Sequence, residues 1–218
     1  MKNTTEDNTL IDSIIFDVDG TLWDSTDVVA AAWNDIITRQ TKKPSSLTGD
    51  SLKKLFGKLL PDIAAVIFAD EPVEEQLRLI DLCCEEEHDA LLRTPAPTYP
   101  ELENTLKLLS GKYRLFIVSN CQAGYIEVFL EATGLGHYFE DHLCPGDTGN
   151  AKAANISEIV KTHHLQSAVY VGDTAGDYQA TKEAGLPFIF ASYGFGTVDT
   201  PDAVIIAPGE LPEVLSSL

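Results

Sequence analysis

The 218-residue chain reads as an α/β protein: a doubly wound parallel sheet with an all-helical subdomain inserted after its first strand. Three observations predict this. Short apolar runs near residues 14, 114, 168 and 187 are continuous rather than alternating, which is the pattern of strands covered on both faces. Amphipathic helical segments separate those runs in the second half of the chain. Between about 25 and 94 the alternation stops: there are three helical patterns and no convincing strand, a stretch too long for one crossover.

In chain order, the strand candidates are IIFDV (14–18), RLFIVS (114–119), HLC (142–144), AVYVG (168–172), PFIFA (187–191) and AVIIA (203–207). The inserted helices are VVAAAWNDIITRQ, DSLKKLFGKLL and EEQLRLIDLCCEEEHDALLR. The exit from the insert, TPAPTYP (94–100), carries three prolines in seven residues and suits a stiff hinge. YPELENTLKLLSG (99–111) stops on a glycine after its last apolar position. YIEVFLEATGLG, AANISEIVKTHH and AGDYQATKEAG supply the remaining helices, and GDTGN (146–150) reads as a connecting loop. The predicted division is a core of 10–23 and 97–218 with a helical insert of 24–96. The first ten residues, MKNTTEDNTL, read as a loose lead-in with neither the basic nor the apolar region of a signal peptide.

Composition narrows the function. Net charge is −19, from 15 basic and 34 acidic residues, a surface that repels nucleic acid and anionic membranes. No apolar run approaches the roughly 20 residues of a membrane span. The four cysteines, Cys83, Cys84, Cys121 and Cys144, have no metal-module spacing and read as small buried side chains in a reducing cytoplasm. An anionic substrate therefore requires a site made locally positive by a metal or a few placed cations.

The chemistry gathers at the strand ends, where ligands bind in open α/β sheets. Asp17 and Asp19 close the first strand, and two carboxylates so near each other need a shared proton or a hard cation. One aspartate would suffice for a turn or a helix cap, so two directly after an apolar strand point to chemistry. Gly20 permits a sharp turn beyond them. Ser119 and Asn120 end the second long strand as neutral donors suited to phosphoryl oxygens, although Ser119 alone also suits a helix N-cap. Asp173 arrives where Asp17 and Asp19 arrive, and Asp177 follows one helical turn later. Three oxygen ligands describe a magnesium site better than a zinc site. Lys152 stands near a helix start, where the dipole disfavours a cation, and beside such acids it acquires a role as a charge neutraliser. The five histidines do not assemble at ligand spacing.

Taken in order, FDVDGTLWDS, VSN, Lys152 and GDTAGD resemble the four motifs of the haloacid dehalogenase-like superfamily, over about 14 to 210. The closest overall pattern is the phosphoglycolate-phosphatase-like branch with its helical cap. The resemblance implies a Rossmann-like core and a Mg²⁺-dependent phosphatase acting on a small phosphate monoester. Asp17 would be the nucleophile, forming an aspartyl-phosphate. Asp19 would be the general acid and then the base, and would reach the metal through its backbone carbonyl. Mg²⁺ would sit on Asp17, Asp19 and Asp173. Ser119, Asn120 and Lys152 would hold the phosphoryl group, with Asp177 orienting Lys152 or a metal-bound water. The insert would be the cap, with the turn at LFGKLLPD facing the site through Gly57 and Lys58. Trp23 stands where a smaller aliphatic residue is expected, and would narrow the site or pack against the cap.

Alternatives follow from the same motifs. A phosphomutase of the β-phosphoglucomutase kind and an inorganic pyrophosphatase differ only in what the cap admits. A dehalogenase lacks the acid at Asp19 and needs no metal. A response-regulator receiver is shorter and phosphorylated on a later strand. A non-catalytic phosphate-binding module is the remote alternative, since every residue needed for chemistry is present. The expected state is a monomer or weak dimer.

Overall fold

The computed structural model describes residues 11–218, so the lead-in expected over the first ten residues lies outside it. Six strands form one parallel sheet in the order β3-β2-β1-β4-β5-β6: β1 (Ser13–Phe16), β2 (Arg114–Val118), β3 (Asp141–Leu143), β4 (Ala168–Gly172), β5 (Phe188–Ala191) and β6 (Ala203–Ile205). β1 and β4 are buried along their whole length, as their uninterrupted apolar sequences require. Alternate side chains build a core on each face. Ile14 and Phe16 join Leu115, Ile117 and Val171 on one side. Ile15 joins Phe116, Val118, Tyr170 and Phe188 on the other.

Four helices lie between β1 and β2 before the core resumes: α1 (Thr26–Thr41), α2 (Gly49–Lys53), α3 (Leu60–Ile67) and α4 (Val73–Arg93). The chain leaves and re-enters the core along paired segments. Trp23 bridges Thr98, Asp24 N–H donates to the Pro97 carbonyl at 3.1 Å, and Tyr99 N–H to the Leu22 carbonyl at 3.2 Å. The core helices are α5 (Leu102–Ser110), α6 (Tyr125–Thr133), α7 (Pro145–Thr148), α8 (Lys152–Thr162), α9 (Ala175–Glu183) and α10 (Leu211–Leu215).

Two local expectations are corrected. The stretch 50–60 is not one helix: α2 stops at Lys53 and α3 starts at Leu60, because Gly57 takes φ +85° between them and Pro61 opens the new helix. The 146–150 stretch is not an open loop but the short turn α7, started by Pro145 and ended by Gly149 at φ 70°.

Candidate active site

The sheet register brings the motif residues together. Phe16 pairs with Ile117 on one side and Val171 on the other, so the residues that follow β1, β2 and β4 emerge side by side at the carboxyl edge. These are Asp17, Ser119 and Asp173, all buried. The order 3-2-1-4-5-6 places β1 at the point where the sheet is wound in both directions, where ligands of such folds bind.

Lys152 is the first residue of α8 and is buried. Its Nζ donates to Asp17 Oδ1 at 2.9 Å and to Asp177 Oδ1 at 2.5 Å. Asp177 Oδ2 accepts from Thr174 N–H at 2.9 Å and Thr174 Oγ at 2.6 Å, closing a capping box at the start of α9. Thr174, not Asp173, is thus the helix cap, and Asp177 faces inward at 1% exposure rather than toward solvent. Ser119 is likewise no cap: α6 begins after Gly124, and Ser119 lines the same cavity as Asp17.

Asp19 is turned another way. Its Oδ1 accepts from Ser25 Oγ at 2.6 Å, Tyr125 OH at 2.8 Å and Trp23 Nε1 at 3.0 Å. Trp23 is fully buried and packs on α6 of the core, edge-on to Phe129 at 5.0 Å and to Tyr125 at 6.1 Å. Gly20 adopts φ +80°, and a Cβ there would fall inside the Asp173 carboxylate. The loop after β5 closes this side, with Phe195 N–H donating to Asp173 Oδ2 at 2.6 Å.

Charge is unbalanced. Asp17, Asp173 and Asp177 each offer a carboxylate oxygen within 4.8 Å of the others, against the single ammonium of Lys152. Burial, reinforced by Asp177, pushes Asp17 up to about 6 despite Lys152. Burial, with Asp177 and Asp17, likewise raises Asp173. Burial pushes Asp19 up to about 7 against its three hydrogen bonds. Burial also works against the charge on Lys152, but Asp17 and Asp177 outweigh it and hold the ammonium well above its ordinary pKa. A hard divalent cation fits this oxygen-only donor set and would correct the deficit of positive charge. Asp17 and Asp173 are the donors best placed to bind it, because both oxygens of Asp177 are already engaged. The Asp19 carboxylate is outside the cluster.

The helical insert forms the opposite wall. Asp17, Asp19, Ser119 and Asn120 share a cavity of about 30 Å³ with Gly57, Lys58, Trp33 and Glu87. Asn120 Nδ2 donates to the Gly57 carbonyl at 2.9 Å, tying the insert to the end of β2. One of the two Asn120 amide N–H donors is thus taken by the insert, and the second is left for a ligand. Lys58 is exposed. Sequence reasoning missed Ser25, Trp33, Glu87, Gln122 and Tyr125. Trp33, Glu87 and Tyr125 sit in ordinary helical patterns and Ser25 and Gln122 in the turns before helices, and only the acid Glu87 within a stripe of apolar positions offered a signal.

Fold and site together define a capped α/β hydrolase. A family model described as haloacid dehalogenase-like hydrolase matches residues 14–191, and the chain belongs to that family, within its phosphoglycolate-phosphatase-like branch. It is similar to a phosphoglycolate phosphatase of Aquifex aeolicus, 29% identical over 94% of this chain and 96% of that protein. A haloacid dehalogenase-like hydrolase from Streptococcus pneumoniae shares the fold at TM-score 0.80 and 22% identity, over 94% of this chain and 98% of that one. A 2-haloacid dehalogenase from Pseudomonas syringae superposes less well, at TM-score 0.66 and 25% identity, over 95% and 99% of the two chains. Among the described residues no helix is long and apolar enough to cross a membrane.

Proposed function

We propose that the protein is a Mg²⁺-dependent phosphatase that hydrolyses a small phosphate monoester through an aspartyl-phosphate on Asp17. The observation that carries this reading is the buried Asp17 carboxylate, held 2.9 Å from the Lys152 ammonium inside a cavity shared with Ser119 and Asp19. The ion pair holds the nucleophile in place and favours its ionised form. Mg²⁺ held by Asp17, Asp173 and the Asp19 main chain would neutralise phosphoryl charge, so that an anionic nucleophile can approach an anionic substrate.

Asp17 attacks phosphorus, and the bond from phosphorus to the ester oxygen breaks. Asp19, pushed up to about 7, carries a proton at neutral pH and gives it to the leaving oxygen. It then takes a proton from the water that attacks the aspartyl-phosphate, releasing inorganic phosphate and restoring Asp17. Ser25, Tyr125 and Trp23 aim Asp19 for both transfers. Lys152 and Ser119 hold the phosphoryl oxygens, while Asp177 positions Lys152. Residues 24–96 act as a cap hinged at the paired segments 22–24 and 97–99, closing over the site to exclude water.

Asp19 and Asp173 favour phosphate chemistry over dehalogenation, which needs neither a proton donor nor a cation at those positions. The four free, buried cysteines suit a reducing cytoplasm. The test is phosphate release from a panel of esters, with and without Mg²⁺, by wild type and Asp17→Asn. Mg²⁺-dependent release that disappears in the variant is expected. Undiminished release by Asp17→Asn would remove Asp17 as nucleophile.

A further inference from the structure

The cavity wall contributed by the insert carries a charge that the mechanism does not use. On α4, Leu79, Ile80, Cys83, Cys84, Glu87 and Leu91 form the buried stripe, so Glu87 occupies a core position among apolar residues. Its neighbour Glu85 faces solvent. Glu87 is 3% exposed, and its oxygens accept from two neutral donors: Trp33 Nε1 on Oε2 at 2.5 Å and Gln122 Nε2 on Oε1. Among the described residues no lysine, arginine or histidine forms an ion pair with it. A carboxyl group in such a place is costly unless something arrives to complete it.

A second group in the same cavity points to the same ligand chemistry. Asn120 Oδ1 is buried and has no hydrogen-bond partner. Its orientation is fixed, because only the amide nitrogen can donate to the Gly57 carbonyl. The cavity next to Asp19, where the leaving group sits in the proposed reaction, therefore presents an orphaned acceptor and an uncompensated acid. Both are satisfied by a ligand that donates hydrogen bonds. A carboxylate there brings only acceptors, and leaves Asn120 Oδ1 unpaired at a cost of about 1–3 kcal/mol.

We propose that Glu87 and Asn120 Oδ1 form a leaving-group subsite that selects small phosphate esters bearing a hydroxyl or ammonium beside the ester oxygen, and disfavours esters bearing a carboxylate there. The proposal rests on the phosphatase reading. Burial, against the Gln122 and Trp33 hydrogen bonds, pushes Glu87 up to about 8, so at neutral pH it also has a proton with which to meet a hydroxyl oxygen. A bound ammonium would draw that proton off and form the missing ion pair. Lys58, the nearest candidate for a carboxylate partner, is exposed and lies on the turn after α2, where water screens its charge.

The test uses three esters of matched size: ethylene glycol monophosphate, ethanolamine phosphate and phosphoglycolate. Affinity is measured by calorimetry with Mg²⁺ on Asp17→Asn, which removes turnover, and on the Asp17→Asn, Glu87→Gln double variant. Wild-type kcat/KM is measured in parallel. At least one donor-bearing ester should bind ten times more tightly than phosphoglycolate, and Glu87→Gln should narrow that gap about tenfold. The ranking in Asp17→Asn needs no substitution at Glu87, so it decides the matter even if the double variant folds poorly. Phosphoglycolate binding as tightly as both donor esters, a gap unchanged by Glu87→Gln, or no binding by any of the three overturns the subsite. Selective binding with no wild-type turnover would instead overturn the phosphatase reading and leave the subsite standing.

Discussion

Removing Lys152 is the most direct test of how the site is held together. In Lys152→Met the side chain keeps most of its volume, but the ammonium 2.9 Å from Asp17 and 2.5 Å from Asp177 is gone. Two buried carboxylates then face each other with no counter-charge. Stripping one partner from a buried ion pair costs roughly 3–5 kcal/mol, and here that means about 6–20 °C in Tm for a chain of this size. The loss should depend on pH. Asp17 is raised above its ordinary value by burial even with the ammonium present, and losing Lys152 removes what opposes that rise. Stability from such groups is present below the unfolded pKa, near 4, and is lost as pH rises through the folded value. Urea unfolding in EDTA should therefore show a loss near the upper end of the range at pH 8 and a markedly smaller one at pH 5. Adding Asp177→Asn to Lys152→Met should restore part of the stability at pH 8, since one of the uncompensated charges is then absent. An equal loss at both pH values would assign the effect to packing. A loss below about 1 kcal/mol at pH 8 would show that the lysine does not clamp the acids at all.

Three further outcomes follow from the same geometry. Mg²⁺ at about 100 times its dissociation constant should stabilise wild type by roughly 2.7 kcal/mol in a thermal-shift assay, and Asp173→Asn should remove most of that gain; an undiminished shift would place the cation elsewhere. Asp19→Asn should lower kcat/KM by about 10²–10⁴. In wild type kcat/KM should fall as pH rises through about 7, where Asp19 loses the proton it donates, and this limb should be missing from the variant's profile. Gly20→Ala places a Cβ within the Asp173 carboxylate at φ +80°, so activity should be lost together with about 1–2 kcal/mol of stability from the backbone alone, measured by denaturant unfolding. An active, fully stable Gly20→Ala would mean that the turn tolerates a side chain and does not set the approach of β1 to β4.

The strands and the acids at their ends were legible because both signals are local. IIF, FIV and VYV are apolar without interruption because helices cover both faces of the sheet, and each run ends within two residues of a candidate site residue, Asp17, Ser119 or Asp173. Lys152 was legible through a misfit, a cation at the helix end where the dipole disfavours it. The break at Gly57 was not legible from spacing, because LKKLFGKLL keeps its amphipathic pattern through the glycine; only the family resemblance placed a turn there, where Gly57 takes φ +85° with Thr174 against it.

What the sequence determined by itself was the set of candidate groups and the strand ends that carry them, since hydrophobic runs and turn residues act over a few positions. The tertiary structure alone decided which distant groups meet. Tyr125 reaches Asp19 across more than a hundred residues, and Glu87, one of three consecutive glutamates, is turned inward by the phase of α4 while Glu85 stays in water. Burial is a property of the whole packing. It is what lifts Asp19 to about 7 and Glu87 to about 8, and so makes two ordinary acids the proposed proton carrier and the proposed reader of the leaving group.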